Sequence, residues 1–368
     1  MNAVQKSLTG VVGLLAVLLL YLLFWPVPIE PVSWEAPADA GLVDPFETND
    51  LLRKAKVFDL GDHEGPEDVA GGPDGLIYAA TADGVIIRLR PDGRRIEVFA
   101  ETGGRPLGIE FDAAGNLFVA NAYLGVQKVS PNGHVEVLVD TYDGQRIEYA
   151  DDLAVAANGK IYFSDASSKF SASKSGGSYE ASLLDILEHG GHGRIFEFDP
   201  ATGKTIVIAD GLNFANGVAI SADQQYLLFN ETAHYRVWRY WLDGPRAGQR
   251  EVVIENLPGF PDNINNGLND RFWVGLVAPR NKLLDDLSDK PWLRKVTQRL
   301  PAFLRPKAEP SSHVIAITGD GQVLMNLQDS AATVPALTGA FETRDAIWLS
   351  SLFGNRLARM DKDRLVEQ

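Results

Sequence analysis

The sequence predicts an all-β chain: a six-bladed β-propeller with an N-terminal transmembrane helix and a helical insertion. Three observations predict it. First, one phrase recurs in which a slot residue stands eleven positions before a bulky strand residue. The pairs are Glu67 with Tyr78, Leu107 with Phe118, Asp151 with Tyr162, Asn216 with Leu227 and Asp262 with Trp273, and a degenerate sixth copy pairs Leu337 with Trp348. Second, runs such as LIYAAT, VIIRLR, LFVANA and KIYFSDA are punctuated by PDG, ADG, AAG, PNG and ANG, the chemistry of strands joined by hairpins. Third, repeated units of about forty residues holding several strands each have the length of propeller blades. A β-sandwich would show short strands without this constant internal phrase.

The elements follow in chain order. From Leu8 to Trp25 there is no charge, about the minimum for a bilayer span. Lys6 precedes the run, and Glu30 and Glu35 follow it. The positive-inside rule then leaves the N-terminus cytoplasmic and the propeller on the periplasmic or extracytoplasmic side. A cleaved signal peptide is the rival reading, but its Ala38-Asp39-Ala40 site lies far past the apolar run. Residues 1–25 thus read as a signal-anchor and 26–52, rich in proline, as an extended stalk. Residues 53–368 read as the propeller. Arg53–Leu60 is strand-like and placed to complete the last blade, closing the ring.

Two insertions lengthen the repeat. The one after Ser168 offers a short helix around Leu183–Leu187. The one at about 279–310 puts Leu283, Leu284, Leu287, Trp292, Leu293, Val296 and Leu300 at helical spacing on one face. That pattern reads as a cap packed on the propeller. Its basic residues, from Arg280 and Lys282 to Arg305 and Lys307, also suit an anionic membrane surface.

Composition narrows the function. A net charge of -15 argues against a nucleic-acid partner. With no cysteine there is neither a disulfide framework nor a thiolate metal site. His189 and His192 lie in a Gly-rich insertion and read as solvated loop residues. Asn230-Glu231-Thr232 matches a glycosylation acceptor, a tripeptide frequent by chance.

In a closed ring, equivalent slots converge on one axis, so Glu67, Asp151, Asn216 and Asp262 are expected to face one point. Three carboxylates without a nearby Lys or Arg would raise each other's pKa. A hard divalent cation removes that penalty. Calcium, bound by six to eight oxygens in loose geometry, suits better than zinc. Asn263 adds an oxygen, and Asp68 and Asp152 either cap turns or hold a second ion. Asp and Asn at strand starts also serve as ordinary turn caps. Four of them at one repeat slot favour the metal reading.

The blocks GRPLGIEFDAAGNLFVANAYLGV, YADDLAVAANGKIYFSDASSKF and GRIFEFDPATGKTIVIADGLNFANGVAIS resemble the strictosidine synthase-like branch of the six-bladed calcium propellers. That superfamily includes paraoxonases, gluconolactonases of the SMP-30 type and squid-type phosphotriesterases. The resemblance runs from about Glu64 to Arg359. It implies that Glu67, in GPED, is a metal glutamate and that Asp151 stands where a metal asparagine is usual. Asn216 and Asp262-Asn263 match further metal positions. Two departures stand out. Leu107 replaces the paraoxonase histidine, and Thr338 falls where the synthase carries its glutamate, with Glu342 nearby.

The expected function is membrane-anchored, calcium-dependent hydrolysis of a small ester or lactone, of arylesterase or lactonase type, with water activated by Asp262 or Asp151. The alternatives are a metal-independent condensing enzyme of Pictet–Spengler type and a non-enzymatic propeller binding a ligand or protein at the membrane.

Overall fold

A computed structural model describes residues 3–365. Six antiparallel four-stranded sheets form the blades. Their innermost strands are Asp68–Gly71, Pro106–Phe111, Ala150–Val155, Ala215–Ile220, Gly259–Asn266 and Leu337–Glu342. Five blades are built from consecutive strands. The sixth takes its outer strand, Lys56–Asp59, from the start of the domain, pairing Lys56 with Arg359 and Asp59 with Arg356. The closing role expected of Arg53–Leu60 is thereby met, and no sheet edge is left open between the ends of the ring.

The core lies between blades. Tyr78, Ile86, Ile109, Leu117 and Val119 fill the seam between the first two. Trp273, Leu337, Ile347 and Met360 fill that between the last two. Each such side chain contributes roughly 1.5–3 kcal/mol on burial. Near the axis the backbones themselves meet. A Cβ on Gly217 would lie 2.3 Å from the Ile264 amide nitrogen and 2.7 Å from the Asp262 carbonyl, so only glycine fits there.

A β-bulge explains why the slot residues face inward. In the third blade Ala150 pairs with Asp165 and Leu153 with Phe163, an extra residue on the inner strand. The same shift occurs between Pro106 and Ile109, Ala215 and Val218, Pro261 and Ile264, and Leu337 and Ala340. A bulge bends its strand and re-aims one side chain. In the second to fifth blades that side chain is the slot residue, whereas Leu337 packs in the seam between the last two blades and Glu67 precedes a strand that carries no such shift.

Four α-helices complete the described chain: α1 (Ala3–Phe24), α2 (Ser178–Glu188), α3 (Lys282–Asp286) and α4 (Pro291–Arg299). The window Ser7–Phe24 of α1 has mean hydropathy 2.4 and none of it is buried. Helix α2 contains the expected Leu183–Leu187 turn. Helix α4 departs from expectation. Its buried residues are Arg294, Thr297 and Arg299, while Trp292 is 61% exposed. The arginines are buried because they donate to backbone carbonyls, Arg294 to Leu187 and Ser288 and Arg299 to Leu22 and Trp25.

Residues 26–52 are largely extended, ending in the short 3-10 turn Leu51–Lys54, but they do not stand clear as a stalk. Ile29 is fully buried in a cluster with Leu107, Tyr149, Phe170 and Leu187. The Val32 amide donates to Glu188 O and the Trp34 amide to Ser288 O. The Trp34 ring stacks on His189 at 4.0 Å. His189 is therefore a buried residue beneath a strap, not the solvated one its glycine-rich surroundings suggest. His192, half-buried, pairs with Glu188 at 2.6 Å.

Candidate active site

Where the inner strands begin, a cleft of about 860 Å³ opens on the axis. Glu67, Asp151, Asn216 and Asp262 all line it, as the repeat predicts. Its walls are apolar, including Leu107, Tyr149, Phe214, Phe260 and Val277. The insertions supply its mouth through Tyr179, Leu284, Lys307 and Glu309. Tyr149 is fixed by its hydroxyl, which donates to Ser178 O at 2.8 Å at the start of α2.

The polar residues of the floor are nearly inaccessible, none above 7% exposed. Burial is the first cause raising the pKa of all three carboxyls. Glu67 is raised further by Asp262 and Asp151, and Asp151 by Asp262. Asp262 is pushed up to about 7, although the Asn216 side-chain amide donates to its Oδ1. One expectation fails here, because a cation is close. Arg105, 5% exposed, donates to Gly65 O at 3.1 Å and draws the Glu67 and Asp151 pKa values down. A single positive charge opposes three carboxylates, so the repulsion is reduced and not removed.

Four buried oxygens of this region lack a hydrogen-bond partner: Glu67 Oε2, Asn216 Oδ1, Asn263 Oδ1 and, behind Asp262, Asn230 Oδ1. Unpaired buried acceptors are costly, which marks a place where a donor or cation belongs. Among the described residues, no three Asp, Glu or His side chains are drawn together into a ready coordination shell. The donors here are mixed carboxylates and amides from four blades, an all-oxygen set suited to a hard ion such as calcium.

The neighbouring positions have other work. Asp68 accepts from the amides of Val69 (2.8 Å) and Ile109 (2.9 Å) and from the Asn265 side chain. Asp152 accepts from Leu153 and Val218, both at 2.8 Å. Each clamps its strand to the inner strand of the next blade. These bonds fit the capping role for both carboxylates, the first of the two alternatives their position offers. Asn263 and Thr338 both donate to Glu67 O, tying the fifth and sixth blades to the first.

Glu342 does not enter the cleft. Its Oε2 accepts from Trp273 Nε1 and the Leu268 amide, both at 2.9 Å, and its other oxygen pairs with Lys362. Despite its burial, those partners hold its pKa below the usual range.

Two positioning residues carry no repeat signal. Asn230, fully buried, donates to Asp262 O at 2.5 Å, and Thr232 donates to Pro261 O at 2.7 Å. The apparent glycosylation tripeptide is thus an internal brace for Asp262. Glu309 at the mouth was also unforeseen, since it sits in an irregular stretch after α4.

Six closed blades around an oxygen-lined apolar cleft define a six-bladed β-propeller. The strictosidine synthase family model matches residues 151–245, and the model described as strictosidine synthase-like, N-terminal, matches 44–89. The adipocyte plasma membrane-associated protein of Salmo salar is 32% identical over 391 residues, covering 99% of this chain and 91% of that protein. Protein STRICTOSIDINE SYNTHASE-LIKE 6 of Arabidopsis thaliana is 32% identical over 326 residues, covering 87% and 85%. The chain belongs to the strictosidine synthase-like family. Among solved structures, a gluconolactonase from Xanthomonas campestris superposes with TM-score 0.61 at 17% identity, covering 83% of this chain and 89% of that one. A calcium-binding regucalcin from Agrobacterium tumefaciens gives 0.57 at 12%, covering 83% and 93%. At these identities the likeness to the solved structures is one of fold.

Proposed function

We propose that this chain hydrolyses a lactone or carboxylic ester in the axial cleft, with a calcium ion held by Glu67, Asp151, Asn216, Asp262 and Asn263. The unpaired oxygens of Glu67, Asn216 and Asn263, beside two carboxyls of raised pKa, carry this reading. A calcium ion bound there supplies Lewis-acid polarisation of the substrate carbonyl.

The protein's own groups do the rest. Leu107, Phe214 and Phe260 take the apolar part of the substrate and exclude bulk water. Asp262, on the floor of the cleft, is placed to accept a proton from the attacking water and return it to the departing alkoxide. Asn216 fixes one oxygen of that carboxyl, and Asn230 and Thr232 hold its backbone. A base that also serves as a metal ligand is weakened, so modest turnover is expected. Helix α1 would anchor the enzyme in a membrane with the propeller on the extracytoplasmic side. The fold-level likeness to a gluconolactonase and to a calcium-binding protein is in keeping with this reading. Condensation of the Pictet–Spengler kind lacks a base at Glu342, which is turned away and paired.

The test is turnover of aryl esters and lactones by the full chain in detergent, before and after chelation. Activity is expected to disappear with chelation, return with calcium, and fall about 100-fold or more in Asp262→Asn. Full activity in Asp262→Asn and Glu67→Gln after chelation overturns the proposal.

A further inference from the structure

The same insertion that lines the cleft mouth also grips the end of the apolar helix. Tyr21 Oη donates to Arg299 O at 3.1 Å, and Arg299 donates to Leu22 O at 3.0 Å and to Trp25 O at 2.5 Å. The residue after the helix is thus already pinned to α4, with no spacer between them. Five residues beyond Leu304, Glu309 lines the cleft, as do Lys307 and Ala308. The Ala308 amide donates to Tyr179 Oη, on the opposite lip, at 3.1 Å.

Between the grip and the mouth the chain exposes large apolar groups. Phe303 is 78% exposed and Leu304 56%, and Trp292 on α4 is 61% exposed. Apart from Lys307, which lines the cleft, the charges that would favour an anionic surface are otherwise engaged. Arg280, Lys282, Lys290 and Lys295 pair with Asp285, Asp286, Asp289 and Glu30. Arg294, Arg299 and Arg305 donate to backbone carbonyls. What the surface offers is an aromatic and aliphatic edge beside a helix of 22 residues, about 33 Å long and sufficient to cross a hydrocarbon core.

We propose that Trp292, Phe303 and Leu304 lie in the interfacial layer of the bilayer that α1 crosses. The cleft then opens toward that layer and receives its substrate from it: an ester or lactone bearing a long acyl chain. The surface stands on the pinned helix and the exposed edge alone, whereas the substrate class rests on the hydrolase reading above. Zwitterionic lipid suffices for such seating, because apolar side chains and not free cations make the contact.

The chain contains no cysteine, so single-cysteine labelling is clean. A nitroxide is placed at Phe303→Cys, and a control at Ala113→Cys. Ala113 is exposed in the turn after the second inner strand, at the end of the propeller away from the cleft. The full chain is reconstituted in phosphatidylcholine vesicles. Collision with a water-soluble nickel chelate is expected to be several-fold lower at 303 than at 113, and collision with membrane-dissolved oxygen higher. Equal nickel accessibility at the two sites overturns the membrane surface. In a second arm, Phe303→Ser and Leu304→Ser are each expected to raise KM about tenfold for a long-chain lactone presented in vesicles. KM for a short, water-soluble lactone should be unchanged. Equal effects on both lactones overturn the substrate class. A shielded label with no turnover of any lactone supports the surface and overturns the hydrolase reading instead.

Discussion

At the scale of single residues, the account turns on buried oxygens. Asp262 has a pKa near 7 against an ordinary 3.8, so the ion-free protein loses stability as pH rises from about 4 through 7. A cation binds the deprotonated form and reverses this. Calcium affinity is therefore expected to rise between pH 6 and pH 8, measured by titration calorimetry. A flat profile would contradict the assignment. Asn230→Ala removes the brace on the Asp262 backbone while leaving every proposed metal oxygen in place. It is expected to lower kcat by about tenfold with little change in KM, as befits a group that positions a base. The slot residues were legible because repetition made them so, and at Asp151, Asn216 and Asp262 the same bulge aims the side chain inward. Arg105 was not, since it stands two positions before Leu107 in a blade whose slot holds no oxygen. Asn230 comes from the second strand of one blade and Thr232 from the turn that follows it, where no repeat draws attention to them.

At the scale of elements, the contacts between inner strands and between strap and cap matter most. Gly217→Ala would drive a methyl into the backbone of the fifth blade. A loss of about 1–3 kcal/mol is expected from denaturant unfolding, as for other overpacked sites. An unchanged midpoint would show that the blades yield. The strap gives a pH signature. Burial, then the neighbouring His234, holds the His189 pKa at about 2, below its ordinary 6.5. Its stabilising contribution is complete above pH 6.5 and declines progressively as the pH falls from 6.5 toward 2. His189→Phe, which keeps a ring against Trp34, is expected to weaken the acid dependence of the melting temperature over that range. The composition of residues 26–52 indicated an extended chain, but proline content says nothing about where an extended chain lies. In α4 the hydrophobic pattern misled for a related reason. Arginine buries readily when backbone carbonyls are free to receive it, and the helix turned its arginines inward.

At the scale of the whole molecule, ring closure and the proposed membrane seating depend on the same N-terminal stretch. Lys56–Asp59 closes the sixth blade, the strap crosses the cap, and α1 meets α4. Closure was readable from the strand-like Arg53–Leu60 and the six-fold repeat. The junction of α1 with α4 was not, because only packing brings Leu22 and Arg299 together. The central claim is that four blades lend oxygens to one calcium ion on the propeller axis. Calorimetric titration of calcium into the chelator-treated full chain, repeated in buffers of different protonation enthalpy, tests it most directly. The account predicts saturable binding with proton release, lost in Glu67→Gln. Absence of any binding heat at millimolar calcium, with the melting temperature unmoved, would contradict it.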